Sequence, residues 1–182
     1  MQPEKPLASL KLSQSIRKLI RDQYETDWAL RLIKGMTGEC WVTSKGNTLA
    51  HEAARFDNAK VVVALHEKKY PLCTFNNDGV YPLHWAIYYD SLDAAAALIG
   101  CGHPIDCQTK RGQTPLHIAV RTRNIKAVRL LLWHDANPML RIDEVVDCFM
   151  IMETMTEDAA LLEIKALLKD HQNDALFSQI FS

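Results

Sequence analysis

The chain has no long apolar run, little glycine or proline, no excess charge of either sign and no paired arrangement of cysteines. Each shortage removes a class of protein. Its longest apolar stretches, such as Ala94 to Gly100 and Leu130 to Trp133, fall far short of the roughly 20 residues that span a bilayer, so no transmembrane helix is expected. The opening MQPEKPLASLKLSQSIRKLI is interrupted by charged or polar groups every few residues, unlike the apolar centre of a secretory leader, and no N-x-S/T acceptor occurs. Seven Gly and seven Pro among 182 residues exclude a collagenous or linker-rich chain. With 21 Lys and Arg against 22 Asp and Glu, the net charge of −1 argues against a generic polyanion binder. The five cysteines, at 40, 73, 101, 107 and 148, are odd in number and form no C-x-x-C. They read as reduced, buried thiols in a cytoplasmic protein, the cytoplasm being that of a host cell if the protein is exported. What remains is an ordinary folded composition, 48% apolar and 24% charged.

A fixed period organises that composition. His51, His84 and His117 recur at a constant step of 33; Gly46, Gly79 and Gly112, Ala53, Ala86 and Ala119, and Leu65, Leu98 and Leu131 keep the same step. In the third copy, Thr114 is placed to accept an amide hydrogen bond as N-cap, Pro115 pre-sets φ at the first helical position, and Leu116, Ala119 and Val120 mark one face of a short helix. Asn124 precedes a second amphipathic stretch, with Ile125, Val128, Leu131 and Leu132 forming its stripe. Neither stripe can be buried within one copy, so neighbouring copies must supply the core.

The copies KGNTLAHEAARFDNAKVVVALHEKKYPL, DGVYPLHWAIYYDSLDAAAALIGCGHPI and RGQTPLHIAVRTRNIKAVRLLLWHDANP resemble the ankyrin repeat, whose period is 33 and whose signature is T-P-L-H-x-A. That resemblance implies an all-α fold with short β-hairpin fingers, an ankyrin-repeat solenoid of about five helix-turn-helix units. The expected organisation is an extension at 1–12, a capping repeat at 13–42, repeats at 43–75, 76–108 and 109–142, a C-terminal capping repeat at 143–170, and a tail at 171–182. In the first cap, SIRKLIRDQ reads as one helix and Thr26 or Asp27 as the N-cap of the next, with Trp28 and Leu32 in register with Val61 and Leu65. In the last cap, Val145 stands where the Gly should be and T-P-L-H is lost, so an altered finger is expected. The last apolar stripe (Leu161, Ile164, Leu167, Leu168) reads as slipped by about three residues from the period, and DALFSQIFS as either a tail helix or disorder. Tyr81 replaces the capping Thr, a loss of about 1 kcal/mol. Lys69 and Asp135 replace the left-handed Gly seen at Gly102, at roughly 1 kcal/mol each.

Catalytic and metal motifs are missing at the points where they come nearest. HEAAR at 51–55 ends in Arg where a zinc motif needs His, and its His51 is the repeat histidine; Cys101, His103 and Cys107 fall short of four ligands at usual spacings. No G-x-S-x-G, phosphate loop or dinucleotide fingerprint occurs. No enzyme activity, cofactor or metal is expected.

The family resemblance places partner contacts on the finger tips and on the exposed ends of the first helices, along a concave groove. Carried over by position, the contacts are Ser44, Lys45, Asn47, Arg55 and Phe56; then Asn77, Asp78, Val80, Tyr88 and Tyr89; then Lys110, Arg111, Gln113, Arg121 and Thr122. Five basic residues against the single acid Asp78 give this set a charge of +4 inside a chain of −1, which implies a protein partner with an acidic contact surface. Tyr88 or Tyr89 could instead pack between helices. The expected function is a non-catalytic interaction module, an adaptor, inhibitor or targeting subunit, monomeric on its own and without membrane attachment. Two other classes stay open: an enzyme or enzyme subunit with a site near Cys148 and His171, and, third, nucleic-acid binding through the basic groove. The acidic run Asp143, Glu144, Asp147, Glu153, Glu157, Asp158 and Glu163 reads as a solvated cap, with a second contact for a basic partner as the alternative.

Overall fold

A computed structural model of the chain describes residues 15, 17, 18, 20, 21, 26–35, 42–143 and 145–180. The fold is all-α. Among the described residues it comprises helical positions at 15, 17, 18, 20 and 21 and nine helices: α1 (Thr26–Lys34), α2 (Leu49–Arg55), α3 (Ala59–Glu67), α4 (Pro82–Tyr88), α5 (Leu92–Gly100), α6 (Pro115–Arg121), α7 (Ile125–Trp133), α8 (Cys148–Glu153) and α9 (Ala159–Ile180). Extended pairing among these residues is limited to single antiparallel bridges at two fingers, Val42 with Thr48 and Ile142 with Val146.

The repeat histidine explains how each first helix starts. Its Nδ1 accepts the backbone N–H three residues upstream: His51 from Thr48 at 3.1 Å, His84 from Tyr81 at 3.3 Å and His117 from Thr114 at 3.1 Å. One N–H that the helix cannot satisfy is thereby paired by the helix's own side chain. Tyr81 supplies no hydroxyl cap. Its ring stacks instead on His84 and meets His103 and Phe75 edge-on, so an aromatic cluster stands where the other copies have a hydrogen bond. Second helices are capped by Asn58, whose Oδ1 accepts from Val61 N, and by Asn124, which accepts from Ala127 N. Ser91, in the same register, does not cap; its hydroxyl donates to Arg55 O, and Asp57 of the preceding copy takes the N–H of Ala94 at 2.8 Å. Left-handed residues recur with the period: Asp57, Asp90 and Arg123 between paired helices, and Lys69, Gly102 and Asp135 after them.

The chain divides into two compact units, Met1–Pro104 and Ile105–Ser182. In the first, α2 packs on α4, α3 on α5 and α1 on α3, burying Leu49, Ala53, Val61, Leu65, Leu83 and Leu98. Small Ala53 and Ala86 let the first helices approach closely. Arg17 Nη2 lies 2.9 Å from Glu52 Oε1, and the Glu52 side chain is wholly buried, so an ion pair ties the N-terminal helical residues to α2. In the second unit, α6 packs on α8 and α7 on α9, burying Leu116, Ala119, Val128, Leu131, Leu161 and Ile164.

Fingers stack by a repeated contact. Asn77 N donates to Lys45 O, and in the second unit Asp143 N donates to Arg111 O, each at 3.0 Å. Gly46, at φ +77°, makes room for this. A Cβ there would lie 2.6 Å from Asn77 Oδ1 and 2.9 Å from its backbone N.

Several expectations need correction. Thr26 and Asp27 are already helical, so neither is the N-cap of α1. The extension at 1–12, Cys40, Glu144 and the side chains of Trp28 and Leu32 lie outside the described residues. The last stripe does not slip: Leu161 and Ile164 are buried one full period after Val128 and Leu131. The altered finger keeps its bridge but takes its left-handed residue at Asp143 (φ +49°), two positions before Val145. Asp147 restores the missing cap, its Oδ1 accepting from Phe149 N and Met150 N at 3.0 Å. The tail backbone to Ile180 continues α9 as one 22-residue helix. Cys107 and Cys148 are buried thiols, whereas Cys73 is exposed and Cys101 half-buried.

Candidate functional site

In the first unit, the residues after α2 and α4 form one patch. Arg55 ends α2, Phe56 is its C-cap, Tyr88 ends α4 and Tyr89 is its C-cap. Stacking of α2 on α4 brings these ends together. The Arg55 guanidinium lies over two rings, with its carbon 5.3 Å from the Phe56 centroid and 5.1 Å from that of Tyr89. Tyr88 meets Tyr89 at 5.2 Å and 90°, and the two remain 57% and 43% exposed. Neither tyrosine is packed between helices, because the inward stripe of α4 is filled by Leu83, Ala86 and Ile87.

The fingers of this unit divide between surface and scaffold. Ser44, Lys45, Asn77 and Asp78 are exposed and Val80 is half-buried. Asn77 Nδ2 donates to Ser44 O, so part of its amide is already engaged. Asn47 is buried, contrary to a surface role: its Oδ1 accepts from Asn76 Nδ2 at 2.8 Å, which fastens one finger to the next.

In the second unit, Lys110, Arg111, Arg121 and Thr122 are exposed and Gln113 is half-buried. With its amide turned to satisfy both groups, Gln113 accepts from Arg121 Nη1 at 2.8 Å and Nη2 at 3.3 Å. Thr122 donates its hydroxyl to Ile118 O and Ala119 O, so it offers a methyl group and little hydrogen bonding.

Two aromatic residues with solvent-facing rings, one in each unit, were missed by position-based reasoning. Trp85, half-buried, fills the variable place in the helix signature; its ring stands 6.0 Å from Tyr89 and 5.4 Å from His51. Trp133, at the end of α7, is 84% exposed. Its register-mates are Glu67 and Gly100, and that register could have marked the position as a surface one.

The titratable groups are set by burial. His51 is held neutral, its pKa lowered to about 4, mainly because its interior position disfavours the charged ring. Its Nε2–H donates to Val80 O at 2.9 Å while Nδ1 accepts, an arrangement only the neutral ring can make. Burial lowers His103 and His117 as well. The Cys148 thiol is pushed up to about 12 by burial, with the charges of Asp147 and Asp106 adding to it. A reactive thiol requires the opposite surroundings. Among the described residues, no cluster of three His, Cys, Asp or Glu is placed to hold a metal ion, and no helix is long and apolar enough to cross a membrane.

The acidic run is largely engaged within the second unit. Asp158 pairs with Arg123 at 3.3 Å and caps Leu161 N, Glu163 pairs with Arg129 at 2.8 Å, and Glu157 pairs with Lys165 at 2.7 Å. Lys165 holds the Glu157 carboxyl below its usual range.

Comparison with known proteins agrees with this architecture. A family model described as ankyrin repeats in three copies matches residues 16–109 and 50–142. The human ankyrin repeat domain-containing protein 53 is 31% identical over 100 residues, 52% of this chain and 19% of that protein. The chicken NF-kappa-B inhibitor alpha is 37% identical over 59 residues, 32% of this chain and 19% of its own length. The mouse ankyrin repeat domain-containing protein 13D is 42% identical over 60 residues, 31% of this chain and 10% of that protein. The match thus spans about a fifth or less of each relative's length. With the histidine-closed helix starts, the stacked fingers and a family match across most of its length, the chain belongs to the ankyrin-repeat family.

Proposed function

We propose that this chain is a non-catalytic protein-interaction module that grips a partner through the finger tips and the C-terminal ends of its first helices, as an adaptor, inhibitor or targeting subunit. The observation that carries the reading is the pair Tyr88 and Tyr89, large rings left on the surface beside a stacked arginine. Aromatic and Arg side chains dominate binding energy at interfaces because they bury much area and lose few rotors. The exposed cations Lys45, Lys110, Arg111 and Arg121 favour a partner that is acidic at its contact surface. The monomeric state and a cytoplasmic location belong to the same proposal. Two further observations support a binding role over catalysis. Cys148 is wholly buried with a raised pKa, and four carboxylates of the acidic run already cap helices or pair with cations.

The test is Tyr88→Ala combined with Tyr89→Ala. The double variant is expected to melt within a few degrees of the wild type, because the rings hold up no core. Partner binding, measured by quantitative co-purification and then by calorimetry on the recovered protein, is expected to weaken by about 2 kcal/mol or more. A double variant that unfolds, or that keeps its partner at full affinity, would overturn the proposal.

A further inference from the structure

Six side chains of the first unit form one continuous series of contacts, alternating charge and ring from Arg21 to Tyr89 and ending in two further rings. The Arg21 guanidinium carbon lies 5.7 Å from the Phe56 centroid; Phe56 is followed by Arg55, Arg55 by Tyr89, and Tyr89 by both Tyr88 and Trp85. A guanidinium that lies over a ring uses its face and leaves its planar edge of N–H donors pointing away from the ring. Among the described residues, no carboxylate or carbonyl accepts from the edge of Arg55 or Arg21. The nearby carboxylate of Asp57 is turned to the N–H of Ala94, and Asp90 has an interaction of its own. The stack is therefore a positioned cation with two exposed rings beside it.

From this geometry, and resting on the interaction role proposed above, we infer the chemistry of what binds there. The stack is the seat for an extended segment of a partner protein in which a carboxylate side chain and an aromatic side chain stand two residues apart. The carboxylate takes the edge of Arg55, whose rotamer is already held between Phe56 and Tyr89, so a forked ionic hydrogen bond forms with little ordering cost. The aromatic side chain lies in the right-angled corner of Tyr88 and Tyr89. Alternate side chains of an extended chain share one face at about 7 Å, which lies within the span that the two successive steps can cover, 5.1 Å from Arg55 to Tyr89 and 5.2 Å from Tyr89 to Tyr88.

The test is titration of the whole ¹⁵N-labelled chain with synthetic decapeptides carrying Glu-Ser-Phe in a Gly/Ser frame, read by NMR because one anchor pair binds weakly. Saturable shifts at the Arg55 Nε–H and the Tyr88 and Tyr89 amides are expected, with Kd raised at least tenfold by Gln-Ser-Phe, by Glu-Ser-Ala or by Arg55→Lys. Arg55→Lys keeps the charge but loses the fork, and its melting curve checks that it folds. Equal affinity for Gln-Ser-Phe overturns the acidic anchor and leaves the general interaction role standing. Tighter binding when phosphoserine replaces Glu reassigns the seat to phosphate and overturns the inference. Shifts centred on Lys110 and Arg111 overturn its location. No shift with any peptide overturns the inference alone if the wild type still captures a Tyr88/Tyr89-dependent partner, and both readings if it does not.

Discussion

A buried neutral histidine makes folding depend on pH. The pKa of His51 falls from 6.5 in the unfolded chain to about 4 when folded, so the unfolded chain takes up the proton first as the solution is acidified. Its contribution is therefore whole above about pH 6.5 and is lost as pH falls towards 4, for a total of about 3 kcal/mol. His103 and His117 shift in the same direction and add to the slope. Urea denaturation at pH 7.5 and pH 4.5 is expected to show a clear drop in midpoint, and His51→Gln should flatten that dependence. An unchanged slope in His51→Gln would mean that this ring is not what titrates. The position of His51 was legible in the sequence because His84 and His117 repeat it in register. Its neutral form was not, since burial of the ring sets it and only the packing of neighbouring copies produces that burial; Val80, 29 positions away, accepts from Nε2 at 2.9 Å and pulls the pKa the other way. Asn47 teaches the same lesson in reverse: it was assigned to the surface by register, and the neighbouring finger buries it through Asn76.

At the scale of elements, the N-terminal helical residues are held to α2 by an interaction whose removal is asymmetric. Glu52 is wholly buried and Arg17 is its cation. Arg17→Ala strands a carboxylate in the interior and is expected to cost about 3 kcal/mol in chemical denaturation. Arg17→Met with Glu52→Leu removes both charges and should recover most of that loss. If the single and double variants are equally unstable, the ion pair is not what fastens this element. Helix starts and periodic stripes were readable from sequence because capping and amphipathicity act over three or four residues. The capping of α5 was not, because Asp57, from the preceding copy, provides it in place of Ser91. At the other end, Asp147 replaces Thr as the cap of α8 and keeps the repeat going where its signature has vanished. Signature and function had separated there, and the carboxylate's reach to two backbone N–H groups was the clue.

For the molecule as a whole, repeats whose cores are shared only with neighbours distribute stability locally. Leu116 is 1% exposed in the core of the second unit, and Leu116→Ala is expected to cost about 2 to 5 kcal/mol through the cavity it leaves. Hydrogen exchange followed by mass spectrometry should show protection falling more in 105–180 than in 42–104. A uniform loss across both units would show that the chain unfolds as one cooperative body.

The period, the Thr114 cap of α6 and the apolar stripes of the three repeats were settled by sequence alone. They follow from local geometry and from the need of each stripe to find an identical neighbour. The tertiary structure alone decided which side chains of the variable positions meet. Arg55 and Tyr89 belong to different copies of the repeat, and only the stacking of α2 on α4 places a guanidinium over that ring. No pattern within one copy encodes such a contact, because its energy arises between side chains that the repeat leaves free to vary.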